Sequence, residues 1–285
     1  MEWIDIGANL THHTFNKDLH EVLDRAHNAG VVQLFVTGTD EQESVKAQAL
    51  ASQHPGTLYS TAGFHPHMAS NFSADSESVL RDLATQPEVV AIGEAGLDFY
   101  RNHSPPEVQQ RVFERHLELA AELKLPVFLH QRDAHRRFVE ILRAYREELV
   151  DAVAHCFTEA PEAARDYLEL GLHIGVTGWI CDERRSRDLR RAVTQIPPQS
   201  LMVETDCPYL LPRDIDPQQA GLPVKNRRNE PSLLPHIGRA VAHYTGRDEE
   251  ELAQTSAQVA RRFFRIEDDC ERLEPTPCSD SQEPQ

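Results

Sequence analysis

Short apolar runs alternate with longer amphipathic stretches along most of the chain. The runs are rich in β-branched residues and end at glycine or polar residues, which is typical of buried strands, whereas the stretches between them have helical spacing. Eight strands are predicted, at Trp3–Ile6, Val31–Val36, Leu58–Thr61, Val89–Ile92, Val127–Leu129, Ala152–Ala154, Leu172–Gly175 and Leu201–Val203.

The clearest predicted helix covers residues 105–125, PPEVQQRVFERHLELAAELKL. Prolines stand near its start, where a helix does not use the missing N–H, and an apolar stripe follows at helical spacing. The stripe consists of Val108, Phe113, Leu117, Leu119, Ala120 and Leu123. Two more helices are predicted after the last strand, near 231–244 and 248–264.

This alternation predicts an α/β protein with a single-domain (β/α)₈ barrel of the TIM type over residues 1–266, since that fold typically has about 250 residues. The alternative is an open doubly wound sheet. The nucleotide-binding fingerprints GxGxxG and GxxxxGK[ST] are both missing from the sequence. Residues 267–285 are rich in proline, serine and acidic residues, and we predict that they form a disordered acidic tail.

The composition, 40% hydrophobic and 26% charged, is typical of a globular protein with a sizeable core. No apolar run approaches the roughly 20 residues of a membrane span, and the first residues lack a signal-peptide core. A cytoplasmic monomer without a membrane partner is therefore expected. The five cysteines form no CxxC pair, so we expect reduced thiols rather than disulfides.

The net charge of −17 at first argues against a nucleic-acid partner. The tail accounts for part of that charge, however, and the rest of the chain carries basic clusters, which equally fit solvated helix faces or loops. A bound divalent ion would also attract a polyanion to an acidic protein. The clusters are Arg132/Arg136/Arg137, Arg184/Arg185/Arg187/Arg190/Arg191 and Lys225/Arg227/Arg228.

Polar side chains gather where the predicted strands end, and in a barrel these ends share one face. A histidine at a strand end is more often structural than a ligand, but the joint pattern is hard to obtain by chance. Histidine and carboxylate without thiolate predict a site for Mg²⁺, Mn²⁺ or Zn²⁺. Glu204 and Asp206 are two apart, so an extended backbone would turn both to the same side. The strand-end residues are His65, His67, Glu94, Asp98, His130, His155, Glu204 and Asp206.

These residues lie in motifs that resemble the TatD family of metal-dependent deoxyribonucleases, within the amidohydrolase-like barrels. The resemblance spans residues 2–266, and DIGANL and GWICDERR make it closest to bacterial members. It implies hydrolysis of phosphodiester bonds by a 3′→5′ exonuclease on single-stranded DNA or RNA, with a role in oxidative DNA damage repair. The motifs are GFHPH, VVAIGEAGLDFYRN, PVFLHQRDAHRRF, AHCFT, IGVTGWICDERR, VETDCPYLLPRD and RRNEP.

The resemblance also implies a divalent ion, with Mg²⁺ preferred to Mn²⁺ or Zn²⁺, held by Glu94, His130, His155 and Asp206. Asp206 is then expected to orient and deprotonate the attacking water, with Glu204 behind it or acting as an alternate base. His65 is expected to contact the phosphate or protonate the leaving group.

Three residues are predicted to bind substrate. Arg132 would clamp a phosphate oxygen, although a surface arginine at a helix start fits the sequence equally well. Phe99 would stack on a base, unless it packs in the core or in a loop lid. Arg228 belongs to a basic cluster next to the last motif. His12 and His13 are expected to be loop residues, and His67 to support a ligand.

The first strand departs from the family pattern, Asp-x-His-x-His, in which the histidines supply one metal of a two-metal centre. Gly7 and Asn9 occupy the histidine positions here. Glycine offers no ligand and asparagine offers a neutral oxygen. The stretch therefore predicts one well-held ion and a weak, water-rich second site near Asp5 and Asn9.

Two other functions are compatible with the same pattern. The barrel could hydrolyse an ester or amide of a small molecule, or act as a D-aminoacyl-tRNA deacylase, because a fold does not fix a substrate. It could also be a metal-poor scaffold. Several unpaired polar groups at one rim argue against a scaffold, because their burial would cost stability.

Overall fold

The computed structural model describes residues 1–216 and 228–266. Their strands form one parallel sheet in the order β1 to β8. Asp206 N donates to Gly7 O, and Asn9 N donates to Cys207 O, both at 2.8 Å, and these bonds bring the last strand against the first. The predicted (β/α)₈ barrel is confirmed. The strands are β1 Trp3–Ala8, β2 Val31–Val36, β3 Leu58–Ala62, β4 Val89–Asp98, β5 Val127–Arg132, β6 Ala152–Ala154, β7 His173–Val176 and β8 Leu201–Val203.

A helix follows each strand, and a further helix, α9, comes last. The predicted helix at 105–125 is α4, which begins at Pro106 and ends before Lys124, whose φ of 57° is left-handed. The two helices predicted after the last strand are α8 and α9. The helices are α1 Leu19–Asn28, α2 Glu41–Ala51, α3 Ala74–Leu83, α4 Pro106–Leu123, α5 His135–Tyr145, α6 Pro161–Glu169, α7 Arg187–Val193, α8 Leu234–Thr245 and α9 Glu249–Phe264.

Strands β4 and β5 are longer than predicted, so Glu94 and His130 lie within them rather than after them. The hydrophobic pattern stops at the glycines of IGEAGLD. The sequence therefore contains no sign that β4 continues beyond them. Gly96 has a φ of 145°, and a Cβ there would overlap the carbonyl oxygen of His130. Gly96 therefore allows β4 and β5 to approach closely next to the side chains of Glu94 and His130.

Helix α9 fills one end of the barrel interior. The ring of Phe264 stacks on Phe35 with centroids 3.8 Å apart. Arg261 pairs with Glu2, and Arg265 donates to the carbonyl of Lys124, which lies just before β5. These contacts are at the strand starts, so the opposite end, where the histidines lie, is left open.

Other predictions concern the chain as a whole. Among the described residues, none of the helices combines the length and apolar character that crossing a bilayer requires. Cys156, Cys181 and Cys207 are free thiols. The acidic tail at 267–285, with its two cysteines, and the basic residues Lys225 and Arg227 lie outside the described residues.

Candidate metal centre

Glu94 lies at the centre of a histidine cluster. Its Oε1 is 2.8 Å from His130 Nδ1, 2.8 Å from His155 Nε2 and 3.4 Å from His65 Nε2. The cluster is sheltered, with Glu94 and His155 each only 5% exposed. The four side chains come from four successive strands: Glu94 and His130 lie within β4 and β5, whereas His65 and His155 follow β3 and β6.

Burial and mutual charge set the protonation of the cluster. Burial alone would raise the pKa of Glu94, but the neighbouring His155 and His65 hold it well below its ordinary value. Burial lowers the pKa of His65 to about 3, so this imidazole is neutral at pH 7. Burial would lower the pKa values of His130 and His155, but their acidic neighbours raise them instead, Asp98 and Glu94 for His130 and Glu94 and Glu204 for His155. Because imidazole binds a metal ion in its neutral form, an ion entering the cluster would displace protons from these two rings.

These residues fit a divalent metal ion. The Nε2 atom of His130 is buried and has no hydrogen-bond partner among the described residues. His65, Glu94 and His130 offer ligand atoms that all lie within 4.8 Å of one another. Imidazole suits borderline divalent ions such as Zn²⁺, and carboxylate also binds harder ions such as Mn²⁺ and Mg²⁺.

Asp206 lines the cavity over this cluster. Its Oδ1 accepts a hydrogen bond of 3.0 Å from Asn9 Nδ2. Burial raises the pKa of Asp206 to about 7; His155 opposes the shift, and the charges of Glu94 and Glu204 add to it. A cation in the cluster would favour the carboxylate form, because opposite charge stabilises the ionised state.

Glu204 lies behind the cluster rather than facing the cavity. It is fully buried, its Oε2 is 3.4 Å from His155 Nδ1, and its Oε1 accepts a hydrogen bond from Cys156 N. The backbone between it and Asp206 is not extended, because Asp206 has a left-handed φ of 52°. The expectation that Glu204 and Asp206 lie on the same side is therefore wrong. Of the two positions expected for Glu204, behind the site or as an alternate base, the structure shows the one behind the site.

Gly7 makes room for Glu204. A Cβ at Gly7 would lie 2.5 Å from Glu204 Oε2 and 3.1 Å from the ring of Phe128. The absence of a histidine at position 7 is therefore required by packing. It also means that the first strand offers one ligand fewer than the family pattern. Any side chain at position 7 would displace the carboxylate that supports His155.

The Gly7→Ala variant is expected to lose about 1–3 kcal/mol of unfolding free energy, since extra atoms in a packed core force shifts. In a Glu204→Ala background the same substitution is expected to cost much less, because the main clash is removed. Urea unfolding of the wild type, both single variants and the double variant gives the coupling energy. Equal costs in both backgrounds would contradict this account of Gly7.

Asp5 supports the loop after β8. It is fully buried, its Oδ1 accepts from Thr205 N at 2.9 Å and from Gly7 N at 3.3 Å, and its Oδ2 accepts from Thr205 Oγ1. Burial raises the pKa of Asp5 to about 7. Both carboxylate oxygens of Asp5 therefore hold Thr205, the residue next to Asp206. This placement favours an orienting role over a ligand role for Asp5, while Asn9 turns its amide nitrogen to Asp206.

The cluster forms one wall of a cavity of about 720 Å³. Arg132 reaches this cavity, and its guanidinium lies 4.2 Å from the ring centroid of Tyr100. Lys46, Arg101 and His103 line the same space, together with His12 and His13 from the loop after β1. The cavity therefore combines the histidine and carboxylate cluster with the cationic side chains of Arg101, Arg132 and Lys46, the last of which pairs with Glu43.

Two residues predicted to bind substrate, Arg228 and Phe99, are not part of the lining of this cavity. Arg228 pairs with Asp18 at 2.6 Å and with Glu230 at 2.7 Å, and stacks on Phe15. It ties α1 to the segment after β8. Phe99 is packed against the core and lines a separate cavity beside α5. Sequence could not show either, because both depend on partners far away in the chain.

Asp98 fixes one of the pocket histidines, a role that the sequence left unassigned. Its Oδ2 is 2.6 Å from His67 Nε2, and its Oδ1 accepts from the backbone N–H groups of Tyr100 and Arg101 at 3.0 and 2.8 Å. The buried Gln109 in turn bonds both the N–H and the carbonyl of Asp98. The second histidine of the GFHPH motif, His67, is thus supported from β4 and α4.

His116 holds the same motif from behind, and sequence reasoning missed it. Its Nε2 accepts a hydrogen bond of 3.0 Å from Phe64 N, and its Nδ1 lies 2.8 Å from Val112 O. Phe64 directly precedes His65. A signal existed, because His116 falls within the apolar stripe of α4, next to Phe113, Leu117 and Ala120.

The His116→Gln variant is expected to be less sensitive to acid. Burial lowers the pKa of His116 from 6.5 to about 4, so below pH 6.5 the unfolded chain binds a proton that the folded chain refuses. Stability is fully present above pH 6.5 and falls as the pH drops toward 4. Between pH 7 and 5 this linkage amounts to about 2 kcal/mol.

The measurement is urea unfolding of the wild type and the variant at pH 7 and pH 5, with EDTA present. The difference in unfolding free energy between the wild type and His116→Gln should be smaller at pH 5 than at pH 7. His20→Gln on α1, where the side chain is 85% exposed, is the control and should not narrow the gap. An unchanged gap for His116→Gln would refute the linkage.

An eight-stranded barrel with histidines and carboxylates converging at its strand ends has the design of a metal-dependent hydrolase. The model of the TatD related DNase family matches residues 4–265. The chain therefore belongs to the TatD related DNase family.

Relatives agree with this placement. A protein of Yersinia pseudotuberculosis serotype O:3 named 3′-5′ ssDNA/RNA exonuclease TatD is 51% identical over 262 residues, or 92% of this chain and 99% of that protein. A protein of Shigella flexneri serotype 5b with the same name is 49% identical, covering 92% and 98% of the two chains. Among solved structures, the TatD homologue YjjV of Escherichia coli K12 has a TM-score of 0.83 at 27% identity, covering 93% and 98%.

Proposed function

We propose that this chain is a divalent-metal-dependent 3′→5′ exonuclease that hydrolyses phosphodiester bonds in single-stranded DNA or RNA. The observation that carries the proposal is Glu94, with three imidazole nitrogens within 3.4 Å of one oxygen, beside a cavity that holds cationic side chains. The names of the relatives at about 50% identity supply the polarity and the single-stranded substrate.

The proposed ligands are Glu94, His130, His155 and Asp206, and the position of His65 adds it to this set. The sequence favoured Mg²⁺. That ion demands near-ideal octahedral geometry and retains several waters. Imidazoles suit Zn²⁺ better, whereas Mn²⁺ shares the carboxylate ligands of Mg²⁺. We therefore propose that Mn²⁺ supports activity at least as well as Mg²⁺.

A bound divalent ion would supply a water of lowered pKa and polarise the phosphate. Asp206 accepts the proton of the attacking water, since its carboxylate lines the cavity beside the Glu94 cluster. Asn9 holds the Asp206 carboxylate in place, and Glu204 holds the His155 ring. Arg132 binds a phosphate oxygen, and the ring of Tyr100 beneath its guanidinium limits its motion.

The size of the cavity suits the end of a strand. Its volume of about 720 Å³ is within the range of about 300–1,000 Å³ for pockets that enclose a small ligand. A terminal nucleotide has that scale, whereas a duplex does not. Two exposed aromatic side chains are available to an approaching base: Tyr209 in the lining of the cavity and Tyr100 beneath Arg132.

The test is digestion of 5′-labelled single-stranded and double-stranded DNA and RNA oligomers by the metal-stripped protein, with Mg²⁺, Mn²⁺ or Zn²⁺ added back. A ladder that shortens from the 3′ end only when metal is present is the expected result. Metal-independent cleavage, random internal cuts, or hydrolysis of D-aminoacyl-tRNA or generic esters alone would overturn the proposal.

The proposal extends to the cell. We place the enzyme in the cytoplasm as a monomer, acting in the repair of oxidatively damaged DNA. A strain that lacks it is expected to be more sensitive to hydrogen peroxide, and a variant without nuclease activity should fail to restore resistance. Full rescue by an inactive variant would separate the protein from repair by cleavage.

A further inference from the structure

Cys181, Asp214 and His236 form a second cluster of metal-binding side chains. Cys181 ends a 3₁₀ turn after β7, Asp214 belongs to the segment after β8, and His236 lies in the first turn of α8. The thiol sulfur, a carboxylate oxygen and an imidazole nitrogen all lie within 4.8 Å of one another. Three separate parts of the chain thus bring three different donor types to one point.

The carboxylate of Asp214 is the shared partner in this cluster. The distance from His236 Nε2 to Asp214 Oδ1 is 2.8 Å, and the thiol of Cys181 also bonds to Asp214. Cys181 is 1% exposed, whereas the side chains of His236 and Asp214 are 27% and 44% exposed. The cluster is closed by the protein on the thiol side and open to solvent on the other.

This donor set differs in kind from the Glu94 cluster. A thiolate with an imidazole and a carboxylate favours zinc over the hard ions, because sulfur is a poor ligand for Mg²⁺ and Ca²⁺. Zinc ligands stand about 2.0–2.3 Å from the ion, so they lie roughly 3.3–4 Å from one another. Small movements of the present side chains would reach that geometry, and the open side leaves a fourth position for water.

Charge also fits a dication. A thiolate and a carboxylate together balance the two positive charges, so the filled site would be neutral. A thiol is a weak hydrogen-bond donor, so hydrogen bonding alone is a poor reason for a sulfur at this position.

We propose that Cys181, Asp214 and His236 bind a zinc ion at a site separate from the Glu94 cluster, and that this ion fixes the segment after β8 to α8. The site shares no residue with the catalytic cavity. A smaller cavity of about 370 Å³ lies beside it, lined by Trp179, Asp182, Leu210 and Arg213. The ion would stabilise the contact between Cys181, Asp214 and His236. Its binding would release the proton of the Cys181 thiol.

Cobalt is the probe for the first test, because Co²⁺ takes zinc sites and a cobalt–thiolate bond absorbs in the near ultraviolet. The metal-stripped full chain is titrated with Co²⁺, alongside the Cys181→Ser variant. Cys156→Ser is the matched control, since Cys156 lines the catalytic cavity. A band in the wild type and Cys156→Ser that is absent from Cys181→Ser supports the site. No band in the wild type, or a band that follows Cys156, overturns it.

The second test does not depend on replacing the buried thiol. Zinc is titrated by calorimetry into a Glu94→Gln variant, which weakens the first cluster, and into the same variant with His236→Gln. The added change is expected to weaken the tight zinc binding at least tenfold and to remove most of the zinc-induced rise in Tm. Equal affinity and an equal Tm shift in both chains would refute the proposal.

Discussion

Replacing Glu94 with glutamine is expected to lower exonuclease activity about 1,000-fold, since a metal ion supplies several kcal/mol of charge stabilisation in the transition state. Glu94 Oε1 is the atom around which His65, His130 and His155 gather. A neutral amide has the same shape but would neither attract the ion nor hold the imidazoles through charge. Metal content should therefore fall together with the rate.

The measurement combines initial rates on a labelled single-stranded oligomer with metal analysis of the purified variant. Glu122→Gln on α4, where the carboxylate pairs with Arg81 at the surface, is the control for losing a glutamate and should keep both quantities. A Glu94→Gln variant that retained more than a tenth of the activity with its metal content intact would disprove the assignment of the ligands.

Replacing Asp206 with asparagine is expected to reduce kcat by about 100- to 10,000-fold, the range that loss of a general base causes. Asparagine keeps an oxygen for the ion and a partner for Asn9, but it accepts no proton. Metal content and KM should therefore change little, in contrast to Glu94→Gln. This difference separates the residue that moves a proton from the residue that holds the ion.

Steady-state kinetics and metal analysis of the same preparation test this expectation. Asp188→Asn on α7, at a side chain 57% exposed, is the matched control. If Asp206→Asn lost its metal in proportion to its rate, Asp206 would act chiefly as a ligand. If kcat were unchanged, it would have neither role.

The barrel and the central cluster could be predicted from the sequence because both follow local rules. Strand ends of a parallel barrel meet at one face, so a histidine such as His130 needs only a correct strand assignment to be placed. The pairing of Arg228 with Asp18 could not be predicted, because the two residues lie 210 positions apart and no local pattern records such a contact. His65 was given a role at the phosphate, and only the distances within the folded cluster place it beside the ligands.

The positions of Glu204 and Asp206 show a different limit. A spacing of two residues suggests that both side chains lie on one face of a strand. The left-handed backbone at Asp206 instead turns its side chain away from the side of Glu204. Asp206 is not a glycine, and nothing in VETDCP marks such a turn. The backbone hydrogen bond from Asp206 N to Gly7 O across the barrel seam depends on the closure of the whole sheet, which no short motif contains.

The contact between Gly7 and Glu204 restricts how this site could change through evolution or engineering. A protein engineer who wished to restore the family's paired-histidine pattern by Gly7→His alone would drive the new ring into a buried carboxylate. Removing Glu204 first would leave His155 without its support. A change to the paired-histidine pattern therefore has to include a new position for the Glu204 carboxylate that still supports His155.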